Sequence, residues 1–191
     1  MRLTALEKPP SLLGQLLDLA IRRTLGRSIT PSQVIYNRVP AAWRISLAFQ
    51  LYERFGAKLP HDLILLLSTR VAMLNGCAFC VDIKRATAIR TRLGTERFDA
   101  LADWRGHPGF DPRERAALAF VEEATRNKHV CDETFAEVRQ CFDDREIAEL
   151  TLVNAIENFY NLLNLPLEVE ADGLEALARS SRESVNVAAS S

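Results

Sequence analysis

The sequence predicts an all-α protein, on three observations. Apolar residues recur at steps of three and four in one segment after another, the period of a helix with one face turned to a core. No segment shows sustained apolar/polar alternation with β-branched enrichment, which a half-buried strand would need. Two helix start signals are also present, Asp111 followed by Pro112 and Glu114, and Asp143 followed by Glu146.

Residues 1–10 read as an irregular lead-in. Leu12, Leu13, Leu16, Leu17, Ala20 and Ile21 then predict an amphipathic helix from about Ser11 to Leu25, stopped by Gly26. Ile29 to Val39 contains Pro31, precedes Pro40 and reads as a connector. Ala41 to Phe55 directs Trp43, Ile45, Leu47, Ala48, Leu51 and Tyr52 toward a core and ends at Gly56. Asp62 to about Leu74 has so few polar interruptions that it is predicted to be buried on most sides. Asn75-Gly76 turns the chain into a helix from Cys77 to about Leu93, and a short helix from Thr95 to Trp104 precedes the Gly106-His107-Pro108-Gly109 breaker. Helices follow over Pro112 to about Asn127, Asp132 to about Phe142, and Asp143 to about Leu165, where Pro166 ends the run. Gly173 to Arg179 reads as a last turn or two, and Ser180 to Ser191 as a small, polar, disordered tail. The expected organisation is an N-terminal helix and connector over 1–39, a helical domain over 40–170 and an extension over 171–191.

The chain has 191 residues, enough for a hydrophobic core that needs no staple. Its formal net charge is -1 with both signs interspersed, so no basic stripe suggests nucleic acid. The longest aliphatic run, Leu63 to Leu67, is far below the roughly 20 residues of a membrane span. Leu12 to Ile21 is interrupted by Gln15 and Asp18, unlike a signal-peptide core. A cytoplasmic protein is expected, with cysteines reduced or catalytic rather than a structural disulfide framework.

Chemistry centres on Asn75-Gly76-Cys77-Ala78-Phe79-Cys80. On a helix beginning near Cys77, a step of three residues turns the chain about 300° and leaves the two side chains about 60° apart on one face, close enough to bridge. The free N–H groups of that helix start favour thiolate, most directly at Cys77. Half a zinc site and two small buried hydrophobes remain open as alternatives, although no second cysteine pair or H-x-x-H completes four metal ligands. Within the last long helix, Asn154, Glu157, Asn158 and Asn161 form a narrow polar stripe. It reads either as a solvated edge or interface hydrogen-bond ladder, or as a face that brings Glu157 to the cysteines as an acid/base group. Cys131 and Cys141 read as packing, His129 as a loop histidine, and His61 and His107 as turn residues. No phosphate-binding glycine loop or flavin or haem motif is present, so no cofactor is expected.

Three blocks resemble the carboxymuconolactone decarboxylase family in its alkylhydroperoxidase-D-like branch. They are Arg70-Val71-Ala72-Met73-Leu74-Asn75-Gly76-Cys77-Ala78-Phe79-Cys80-Val81-Asp82, Phe110 to Phe120, and Glu146 to Leu165 with Leu150-Thr151-Leu152 and Asn161-Leu162-Leu163-Asn164. The resemblance implies a single multi-helix bundle, assembly as a homotrimer or homohexamer, and a dithiol that reduces hydroperoxides with electrons from a reducing thiol protein. It assigns attack on peroxide to Cys80 and resolution to Cys77. The family's proton-relay positions, a glutamate twelve residues before the first cysteine and a histidine four after the second, fall on Leu65 and Lys84. A lysine, with an ordinary pKa of about 10.4, is a poor proton shuttle at neutral pH, but as a fixed cation one turn from Cys80 it can hold that sulfur as thiolate.

The catalytic set expected from sequence is therefore Cys77, Cys80 and Lys84 in a thiol-dependent oxidoreductase or weak peroxidase. The alternatives are an oligomeric binding or redox-sensing module whose catalysis is impaired, and a carboxymuconolactone-decarboxylase-like enzyme. The apolar helix Asp143 to Leu165 is expected at a subunit interface.

Overall fold

In a computed structural model the chain is described over residues 1–93 and 95–189, with side chains described through Glu183. Every regular element among these residues is helical. The α-helices, in order, are α1 (Leu12–Leu25), α2 (Ala41–Leu51), α3 (His61–Asn75), α4 (Ala78–Arg90), α5 (Glu96–Asp99), α6 (Pro112–Asn127), α7 (Asp132–Cys141), α8 (Asp144–Asn164) and α9 (Leu174–Ala189), with short π and 3-10 turns between them.

The centre is α3, packed against α4, α6 and α8. Every residue from Leu63 to Ala72 is buried, as the near absence of polar interruptions predicts. Arg70 is accommodated because its guanidinium pairs with Glu122 of α6 at 2.7 Å and donates to the Leu101 carbonyl, while Trp104 donates to the same carboxylate. Both start signals are complete capping boxes, Asp111 with Glu114 and Asp143 with Glu146. Gly76 closes α3 at φ +71°, a left-handed conformation suited to glycine, and lets the chain enter α4 at once.

Two expectations change. The connector Ile29 to Val39 contains a π-helical turn, Ser32–Tyr36, which buries Val34 and sets Tyr36 edge-on to Trp43 at 5.1 Å. The expected disordered tail is instead α9, whose backbone is helical to Ala189; residues 190–191 lie outside the described residues. The start of α9 is capped from a distance: the Asp82 carboxylate accepts the Leu174 and Glu175 N–H groups, both at 2.9 Å. Leu174 and Ala178, one turn apart, bury against α4. A cap that lies 92 residues away leaves no local signal at residue 174.

Two main apolar clusters result. One fills the space between α3, α6, α7 and α8; the other joins the end of α1, α4 and α9 and contains both cysteines of the pair.

Candidate active site

Cys77 is the N-cap residue of α4 and Cys80 lies in its first turn. Their sulfurs are bonded, with the Cα atoms 5.2 Å apart, which is the juxtaposition a step of three at a helix start provides. Cys77 is 1% exposed and Cys80 2%. Leu25, Ile29, Val169, Leu174 and Ala178 belong to the same cluster, so α1, the segment after α8 and α9 together cover the bridge.

The sulfur of Cys80 accepts a hydrogen bond from Asn164 Nδ2 at 3.4 Å. Asn164 continues the polar stripe of α8 by one further step of three; the stripe's spacing was the signal that could have found it. That stripe is not a solvated edge. Asn154, Glu157, Asn161 and Asn164 are all buried, and the row faces α6, α3 and α4 within the same chain. Asn75, two residues before Cys77, donates to Asn158 at 3.0 Å and to Asn161 at 2.7 Å, and Asn161 donates to Glu157 Oε1 at 2.7 Å.

Lys84, one turn beyond Cys80, places Nζ 3.2 Å from Glu157 Oε2. Burial alone would push the lysine down, but the Glu157 and Glu53 carboxylates outweigh it and hold Lys84 above its usual range. Glu157 is 1% exposed. Burial pushes its carboxyl above the usual range against the opposing pull of Lys84 and Asn161, and Glu53 adds to the rise. Lys84 is thus a largely covered cation, its side chain 16% exposed, with a carboxylate partner.

Leu65 is 4% exposed in the main core cluster. A glutamate there would be a buried charge, and the carboxylate that Lys84 meets comes from α8 instead. The other cysteines and histidines stay apart from this cluster. Cys131 caps α7 by accepting from Thr134 N at 3.5 Å, Cys141 ends the same helix, and His107 accepts from Gly109 N in its own turn. Among the described residues no group of three His, Cys, Asp or Glu side chains is placed to hold a metal ion, and no helix is long and apolar enough to cross a membrane.

The cover over the cysteines depends on Asp82. Replacing Asp82 by alanine removes both bonds to the start of α9, at a cost of about 1–2 kcal/mol for a cap of this kind. Alkylation of the reduced Cys80 thiol is expected to speed up about tenfold; an unchanged rate in a stopped-flow alkylation assay would show that α9 does not govern access.

Comparison with known proteins places this geometry in context. The model of the carboxymuconolactone decarboxylase family matches residues 39–123. The uncharacterised Escherichia coli protein YnjA is 29% identical over 155 residues, 80% of this chain and 85% of its own length. A solved structure of a protein of unknown function from Agrobacterium tumefaciens, whose name links it to AhpD antioxidant defence, is 27% identical with a TM-score of 0.67, covering 71% of this chain and 94% of that one. An uncharacterised peroxidase-related protein of Ralstonia eutropha, described as an alkylhydroperoxidase AhpD core, superposes with a TM-score of 0.75 at 16% identity over 91% of this chain and 96% of that one, a likeness of fold.

Proposed function

We propose that the chain, as a member of the carboxymuconolactone decarboxylase family in its alkylhydroperoxidase-D-like branch, is a thiol-dependent oxidoreductase that reduces hydroperoxides. The observation that carries the reading is the bonded Cys77–Cys80 pair at the start of α4 with a cation one turn along the same helix. In this reading Cys80 is the attacking sulfur. It has the Asn164 donor and shares a helix face with Lys84, both of which stabilise a thiolate, whereas Cys77 makes no capping hydrogen bond. Cys77 then closes the disulfide, and an external dithiol, the reducing thiol protein expected from sequence, restores the pair. Such a cycle suits a reducing compartment such as the cytosol.

Burial of both sulfurs specifically favours a second reading, a redox-sensing module that cycles without turning over a substrate. One experiment separates the two. Mild oxidation with diamide is expected to remove two hydrogens, mapped by mass spectrometry to Cys77 and Cys80. With an organic hydroperoxide and excess dithiol the wild-type protein is expected to turn over, and Cys80→Ser to fall to background. Oxidation without turnover would leave the sensing role, and a disulfide mapped to any other pair would defeat both.

A further inference from the structure

Lys84 and Glu157 cancel one another's charge while the cysteines are joined as a disulfide. Once the bridge opens, a Cys80 thiolate would add a third charge where Cys80 and Glu157 are both buried, and an uncompensated buried charge is costly. Resting on the dithiol reading above, we propose that Glu157 is the proton store of the pair: on reduction Lys84 changes partner from the Glu157 carboxylate to the Cys80 thiolate, and Glu157 takes up the proton that Cys80 does not keep.

The geometry is a register between two helices. On α4, Cys80 and Lys84 stand one turn apart; on α8, Glu157, Asn161 and Asn164 stand at steps of four and three. The rows meet at both ends, Asn164 on the Cys80 sulfur and Glu157 on the Lys84 ammonium. Within the Glu157 carboxyl, Oε1 accepts from Asn161, while Oε2 lies beside the ammonium without a well-aligned hydrogen bond, a position where a proton can add. The other titratable groups facing the pair are Glu53, in the π-helical turn after α2, and the phenols of Tyr36 and Tyr160. Burial pushes both phenols up, Tyr160 to about 12, so neither exchanges a proton near neutrality. Burial also raises the proton affinity of Glu157, as a store requires.

The bookkeeping balances. An external dithiol gives two electrons and two protons and leaves as its own disulfide; one proton goes to Cys77, the other to Glu157, and Cys80 becomes a thiolate beside the Lys84 ammonium. In the return step Cys80 attacks the hydroperoxide, the O–O bond breaks, and the departing alkoxide takes the Glu157 proton to leave as alcohol. Cys77 then displaces hydroxide from the Cys80 sulfenic acid, its own proton completes a water molecule, and the disulfide and the Lys84–Glu157 pair are both restored.

The test needs no substrate. The midpoint potential of the Cys77–Cys80 couple is measured against pH near neutrality, where each proton taken up per electron pair contributes about 30 mV per pH unit. Thiolate content is followed by ultraviolet absorbance. Wild type is expected to take up two protons while showing one thiolate, and Glu157→Gln to take up one while keeping the thiolate. Independently of any variant, the infrared difference between reduced and oxidised wild type should show a protonated carboxyl appearing on reduction. A reduced protein with no thiolate, an unchanged proton count in Glu157→Gln, or no new carboxyl band overturns the assignment. If the couple cycles but one of these fails, the proton store alone is lost; if it does not cycle at all, the proposed function falls with it.

Discussion

A methionine at position 84 is expected to make the fold strongly pH-dependent. The change removes the ammonium 3.2 Å from a fully buried carboxylate, and stranding one partner of such a pair costs about 3–5 kcal/mol while it stays charged. Glu157 can escape that cost by taking a proton. Burial already lifts its carboxyl above the ordinary value of 4.5, and loss of the Lys84 attraction lifts it further. For an acid whose folded pKa lies above its unfolded one, the native state binds the extra proton. The associated stability is complete below the unfolded value and is lost as pH rises through the folded one. Urea unfolding of Lys84→Met is therefore expected to match wild type near pH 5 and to fall short by about 3–5 kcal/mol near pH 8. Adding Glu157→Gln should flatten the difference. An equal deficit at both pH values would mean that the lysine stem, not its charge, is what Glu157 needs.

Much of this site is legible in the sequence, because its parts are local. The cysteine spacing, the Gly76 turn and the position of Lys84 one turn after Cys80 are all set within ten residues, and each is found where the helical period puts it. Both capping boxes were equally local. The parts that escaped are long-range. Asn164 reaches Cys80 across 84 residues and Asp82 caps α9 across 92; the α8 stripe points to Asn164, but nothing in the spacing names the partner of either residue. Glu157 is intermediate. The stripe that holds it is evident in the sequence, but spacing alone does not say whether a polar row on an apolar helix faces water, a neighbouring subunit or the interior. Packing of α8 on α3 and α4 decides for the interior. Position 65 is likewise settled by packing: Leu65 lies in the main core, while the charge beside Lys84 arrives from α8.

Assembly gives the other large expected effect. The helix expected at a subunit interface turns part of its apolar surface inward: Ile147, Leu150, Val153 and Ile156 are buried in their own chain and Leu163 packs against the Tyr36 and Trp43 cluster. A glutamate at Ile156 or Leu163 would therefore test folding rather than association. The outward side remains. Leu152 and Leu162 of α8, the latter 69% exposed, stay in water, as do Ile45 of α2 and Phe55, and Phe49 of α2 meets Phe159 at 5.4 Å and Tyr160 at 6.1 Å. We propose that these exposed apolar side chains are covered in an assembly, since closed symmetry lets copies of one chain cover them for one another. Leu162→Glu places a charge where the single chain already meets water, so the helical signal and unfolding midpoint should stay near wild type, within about 0.5 kcal/mol. In an assembly the same charge is buried without a partner and should dissociate it. Native mass spectrometry is expected to find wild type as a trimer or hexamer and Leu162→Glu as the 21.4 kDa monomer. If wild type itself runs at 21.4 kDa at micromolar concentration, these exposed side chains are not a contact between copies of this chain.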